Sequence, residues 1–159
     1  MLRASTQQDK SVDTKRSWNL LIFSIGGERL AVRTDDIGGI AHWTDSIAVP
    51  SRTPFVQAIL RREKELLPVY DLAARLNHSV VGDPLLCLVA KHLDGLMAIC
   101  IDGDMPSLHT IDAGALRFST RADIETIGCF NDGNEEIPVI ALQTLGGSSA
   151  RQSGHTTAP

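Results

Sequence analysis

Apolar residues occur along this chain in short bursts: Leu20–Ile25, Leu30–Val32, Ile37–Ala41, Leu66–Val69, Leu85–Ala90, Leu96–Ile101 and Ile137–Leu142. Between them stand Gly26-Gly27, Gly82-Asp83-Pro84, Asp94-Gly95, Asp102-Gly103 and Asp132-Gly133. Runs this short between breakers predict strands rather than helices. The Asp-Gly pairs favour tight turns, because glycine tolerates positive φ and aspartate bonds its own backbone. Helices of ten or more residues find little room. The candidates are Asp71–Leu76, a turn near Asp112–Leu116, and Leu142–Leu145. The pattern predicts an all-β chain, a small barrel or sandwich that is mainly antiparallel, with short helical turns.

One segment, Ala58–Leu72 (AILRREKELLPVYDL), predicts a hairpin. Leu66, Leu67, Val69 and Leu72 supply apolar surface, while Arg61 to Glu65 are too charged to bury. Pro68 cannot donate a ladder hydrogen bond, so its strand is expected to be an edge strand or to be bulged at the proline. Asp71 should lead into a short helical turn. Asp102 closes an apolar strand and begins a turn with Gly103, which predicts an Asx-type bond to that turn's own backbone.

At 159 residues the chain makes one domain or two small subdomains. Residues 1–17 and 147–159 are rich in Ser, Thr, Gln and Gly and are expected to be flexible tails. A net charge of −4, with only seven aromatic residues (two Trp, one Tyr, four Phe), argues against nucleic-acid binding, which needs clustered cations and stacking platforms. No apolar run approaches the roughly 20 residues that span a bilayer, and the N-terminus lacks a hydrophobic signal core. A cytoplasmic protein with no direct membrane insertion is expected.

The three cysteines, Cys87, Cys100 and Cys129, lie apart in apolar surroundings with no CxxC spacing, and the five histidines have no ligand-like spacing. Reduced structural thiols and no metal site are the expectation. Cys100 lies within MAICI, where a low dielectric raises a thiol's pKa and leaves it inert. The acid pairs Asp35-Asp36 and Glu135-Glu136 read as solvated turn ends. No P-loop, GxGxxG, GxSxG, HExxH or EF-hand pattern occurs, so no catalytic residue and no cofactor are expected.

The order of these signals has a further meaning. Phe23-Ser24-Ile25-Gly26, Glu28-Arg29-Leu30-Ala31-Val32, Ile37-Gly38-Gly39-Ile40 and Leu67-Pro68-Val69-Tyr70-Asp71-Leu72 together resemble the CheW family of chemotaxis coupling proteins. Leu86–Ala90 resembles the family's VVIV-type strand, Ala98–Asp102 its GIVVD-type strand, and Ile127–Leu145 its closing segment. The resemblance covers residues 19–146 in order. It implies a domain over 18–146 built as two intertwined five-stranded small β-barrels around a shared core. The first barrel is expected from residues 27–80, and the second from 18–26 plus 81–146. It also implies a non-catalytic adaptor that bridges a chemoreceptor's cytoplasmic tip to the regulatory domain of a CheA-type histidine kinase, serving flagellar chemotaxis or type IV pilus twitching.

Two departures from the family pattern stand out. Where the family reads NLRG, this chain has Arg61-Arg62-Glu63-Lys64, so the family's arginine falls on Glu63 and its glycine on Lys64. Where the family reads V-x-E-V, Gly39 replaces the glutamate. The resemblance places partner contact on Ile37, Gly39 and Ile40 for the apolar part and on Arg62, Glu63 and Lys64 for the polar part. For the isoleucines an ordinary core role is the competing reading. The departures also allow a divergent module that docks on the kinase, or another signalling protein, without the usual receptor contact. A small-barrel ligand-binding protein or enzyme is the third alternative.

Overall fold

A computed structural model describes residues 17–146. The two expected tails lie outside these residues, except for Ser17, which opens the first strand. The strands are β1 Ser17–Ile25, β2 Glu28–Arg33, β3 Ile37–His42, β4 Ser46–Ala48, β5 Val56–Arg62, β6 Glu65–Tyr70, β7 Leu86–His92, β8 Gly95–Ile101, β9 Ser107–Asp112, β10 Thr126–Asp132 and β11 Glu135–Ile140. One helical turn, α1 Leu72–Arg75, follows β6, and its first turn is capped by the Asp71 carboxyl, which accepts from the Ala74 amide at 3.0 Å. Short 3-10 turns at Ala113–Ala115 and Leu142–Thr144 occupy the other two expected helical positions, and a further one lies at Thr34–Asp36.

The strands form two sheets, ordered β10-β11-β2-β1-β9 and β3-β7-β8-β6-β5-β4. The second has one strand more than the five expected, the three-residue β4, whose Ser-Ile-Ala is too short for any alternation to be read. The expected division of the barrels is also corrected. Gly26 and Gly27 fold β1 tightly onto β2 from Leu20↔Arg33 to Ile25↔Glu28, so both strands enter one sheet. The β7–β8 hairpin likewise joins the sheet of β3 to β6.

The chain is an internal repeat that exchanges hairpins. β11 meets β2 in parallel at Val139↔Ala31, and β6 meets β8 in parallel at Val69↔Ala98. Both incoming strands carry a matching signature, Ile137-Pro138-Val139-Ile140 and Leu67-Pro68-Val69-Tyr70, and both lead into a short helical turn. β9 pairs with β1 as β3 pairs with β7. Each sheet thus takes one hairpin from the opposite half of the chain. Pro68 is not on an edge strand: β6 lies between β5 and β8. The ladder with β8 has the single register pair Val69↔Ala98, which leaves little ladder for the proline to interrupt, and the bulge lies on β5 between Val56 and Ala58, not at the proline.

Strand alternation divides the core into three. Leu20, Ile22, Ala31, Ile137 and Val139 fill the inside of the first sheet. Leu60, Leu67, Val69, Cys87, Val89 and Ala98 fill the inside of the second. Between them, Leu21, Phe23, Leu30 and Val32 of one sheet meet Leu88, Met97, Ile99 and Ile101 of the other. The first sheet is drawn round by a bridge between Arg117, beyond β9, and Cys129 of β10.

Asp102 holds this arrangement together in a way different from its expected role. Its side chain is buried, and it accepts from the Gly26 amide at 2.9 Å and the Val81 amide at 2.8 Å through Oδ1, and from the Gly27 amide at 2.9 Å through Oδ2. It serves two other loops, not its own turn. The acid pairs divide as well: Glu135 and Glu136 are exposed and pair with Arg29 and Arg117, but Asp36 is buried and receives the Gln143 amide at 3.1 Å. Burial pushes the Asp36 carboxyl above the usual carboxylate range.

Candidate functional site

The sequence candidates fall on the second sheet, Ile37, Gly39 and Ile40 on its edge strand β3 and Arg62, Glu63 and Lys64 at the turn of the β5–β6 hairpin. β3 and β4 are its two outermost strands, and they are consecutive in the chain. The β5–β6 hairpin closes with Arg62 opposite Glu65, leaving Glu63 and Lys64 as a two-residue exposed turn. Arg62 itself is half-buried. Its Nη2 lies 3.9 Å from the point where a Cβ on Gly39 would stand, so the ends of β3 and β5 approach each other although they do not pair. The Arg62 guanidinium, next in sequence to the altered turn, therefore lies beside Gly39.

Gly39 differs from its family counterpart in backbone as well as side chain. Its φ is +151°, and the register with β7 shifts between Ile37 and Gly39. A side chain there is strained, so a glutamate cannot be restored without moving β3. Ile40, one residue on, is 38% exposed. Ile37 is different: it packs against the central cluster, opposite Ala90, as a core residue. The sequence reading missed Ile47, 60% exposed on β4, because its strand carries no pattern.

The turn changes the weight of Glu63 and Lys64. Positive φ falls on Glu63, at 54°, and not on Lys64. The place that favours glycine is one residue earlier than the family alignment sets it. Replacing Glu63 by Gly is expected to leave stability unchanged or to raise it by up to about 1 kcal/mol, because a left-handed residue with a Cβ costs about 1–2 kcal/mol and glycine loses part of that gain in chain entropy. Lys64→Gly should instead lower stability by roughly 0.5–1 kcal/mol. Urea unfolding of both variants checks this, and equal losses would contradict it.

Two crevices among the described residues each enclose about 210 Å³. One is lined by Val56, Pro68, Tyr70, His92, Met97 and Leu145; the other includes Trp43, Ser46, Ala58, Val69 and Cys100. Both are smaller than the roughly 300–1,000 Å³ usual for small-molecule sites. Burial pushes the Cys87 and Cys100 thiols up, Cys100 to about 12, as its apolar strand predicts. Among the described residues no group of three or more His, Cys, Asp or Glu is placed to hold a metal ion, and no helix is long and apolar enough to cross a membrane.

Comparison with known proteins bears on the whole surface. The chain is similar over 80% of its length to the scaffolding protein TtCheW from Thermoanaerobacter tengcongensis, covering 86% of that chain, with a TM-score of 0.71 and 16% identity. At that identity the likeness carries the fold. No curated protein matches the sequence. Residues 19–113 match the CheW-like domain. With that match over more than half its length and the two-sheet fold above, the chain belongs to the CheW-like domain family.

Proposed function

We propose that this protein is a non-catalytic adaptor that couples chemoreceptors to a CheA-type histidine kinase in chemosensory signalling, with flagellar chemotaxis or type IV pilus twitching as the output. The observation that carries the reading is the CheW-like fold, which the chain shares with a protein described as a scaffold. The adaptor works in the cytoplasm and is recruited to receptor arrays. Docking uses exposed apolar residues of the edge strands, Ile40 with Gly39 beside it, rimmed by Arg62, Glu63 and Lys64. Apolar contact at the centre supplies affinity, while the rim charges set association rate and specificity. Ile37 supports β3 from the core side.

A second reading is favoured by one specific observation, the bulged, positive-φ backbone at Gly39 next to Arg62. On this reading the chain keeps kinase docking and lacks the usual receptor contact. Co-purification of the full chain with a CheA-type kinase and with a receptor cytoplasmic fragment separates the two readings. Retention of both partners supports the coupling adaptor. Retention of the kinase alone supports the divergent module, in which case Glu63→Arg combined with Lys64→Gly should raise receptor affinity.

A further inference from the structure

Cys87 and Cys100 stand directly opposite each other on β7 and β8. Their neighbours fix the face they share. The flanking pairs Leu86↔Ile101 and Leu88↔Ile99 point into the central cluster, whereas Cys87, Val89 and Ala98 line the inside of the second sheet. Alternation puts Cys100 on that same inner face. Opposed residues of an antiparallel pair have Cα atoms about 4.5 or 5.5 Å apart, depending on their place in the ladder. A disulfide spans Cα distances of roughly 4.4–6.8 Å, so the Cα spacing of an opposed pair falls in its range, and a small inward shift of the two Cβ atoms closes the bond.

Access is unequal. Cys87 is 1% exposed, while Cys100 is half-buried and forms part of the crevice beside Trp43, Ser46 and Ala58. A small reagent reaches Cys100 first. We propose that Cys87 and Cys100 are a thiol–disulfide exchange site, which a small uncharged disulfide entering the crevice converts to an intrachain bond across the β7–β8 hairpin.

The reaction balances without any other reactant. The Cys100 thiolate attacks one sulfur of the reagent, forming a mixed disulfide and releasing one thiol. Cys87 then loses its proton and attacks the Cys100 sulfur, expelling the second thiol. The protein's two S–H groups become one S–S bond, and the reagent's S–S bond becomes two S–H groups. Burial pushes the Cys100 thiol up to about 12, so its thiolate is scarce and exchange is slow, but access through the crevice means the thiol is not inert as its apolar strand alone suggests. The rate therefore rises about tenfold per pH unit across the range below that value. Burial pushes the Cys87 thiol up as well, with the nearby Arg62 charge offsetting part of the rise, so the second step is also base-dependent. The site is independent of the docking reading.

The test exposes the folded full chain to 2-hydroxyethyl disulfide at pH 7, 8 and 9, then maps thiols and cross-linked peptides by mass spectrometry. The expected product has a Cys87–Cys100 bond and a reduced Cys129, and forms about ten times faster at each step in pH. In Cys100→Ala, Cys87 should stay reduced. A persistent mixed disulfide at Cys100, linkage between chains, reaction at Cys129, reaction of Cys87 in the variant, or no reaction at pH 9 each overturns the proposal.

Discussion

Replacing Asp102 by Ala should lower the unfolding free energy by about 3–5 kcal/mol, although the residue lies at the end of a strand and not within any of the three core clusters. Its carboxyl is 1% exposed and is the common acceptor for the amides of Gly26, Gly27 and Val81. The side chain therefore fastens the β1–β2 turn and the loop before β7 to the end of β8, uniting the two hairpins that the sheets exchange. Each donor left without a partner costs roughly 1–3 kcal/mol. Gly26, Gly27 and Val81 all lie at the surface, where water recovers part of that for each amide, so the sum falls well below three times the upper value. Asp102→Asn is the informative control. It keeps the shape and one acceptor oxygen but turns an amide donor toward a backbone N–H, and should cost about 1–3 kcal/mol. Denaturant unfolding of both variants measures the difference. Losses under about 0.5 kcal/mol in both would mean that the three amides do not depend on this residue.

Phe23→Ala should cost about 3–5 kcal/mol, and it should do so in both sheets together. Phe23 is 2% exposed and lies in the cluster where the sheets meet, so its cavity opens against residues of each. The protein carries an internal reporter for this. Trp18 packs against the core inside the first sheet and Trp43 against the core inside the second. With Trp18→Phe and Trp43→Phe backgrounds, fluorescence follows each sheet separately. The midpoints should coincide before the Phe23 change and move equally after it. A shift in one reporter alone would show that the exchanged hairpins do not bind the halves into one cooperative unit.

Much of this architecture is legible in the sequence, and the rest is missing for definable reasons. The apolar runs mark β1, β2, β3, β6, β7, β8 and β11, because each is a short burst between breakers. β4 escapes because its three residues are all exposed, and β9 because its half-buried face holds only His109 and Ile111, too few apolar residues to make a run. The sheet memberships escape because alternation says which residues share a face but not which distant strand lies beside it. The repeated Leu-Pro-Val and Ile-Pro-Val signatures do stand in the sequence and could have revealed the duplicated, exchanged plan. The cysteine pair was readable too: a two-residue turn at Leu93-Asp94 sets His92 opposite Gly95, which puts Cys87 opposite Cys100. Within the candidate surface, residue identities named Gly39, Ile40 and Arg62, but only the fold brings Gly39 and Arg62 together and turns Ile37 inward.

The adaptor account rests most directly on binding to the kinase. Titration calorimetry of the full chain against the isolated regulatory domain of a CheA-type kinase, with a receptor cytoplasmic fragment titrated in parallel, tests it. Saturable binding of the kinase domain is expected at a micromolar or lower dissociation constant, equivalent to about 8 kcal/mol or more. Absence of saturable binding to either partner at tens of micromolar, with the chain folded by circular dichroism, would contradict it.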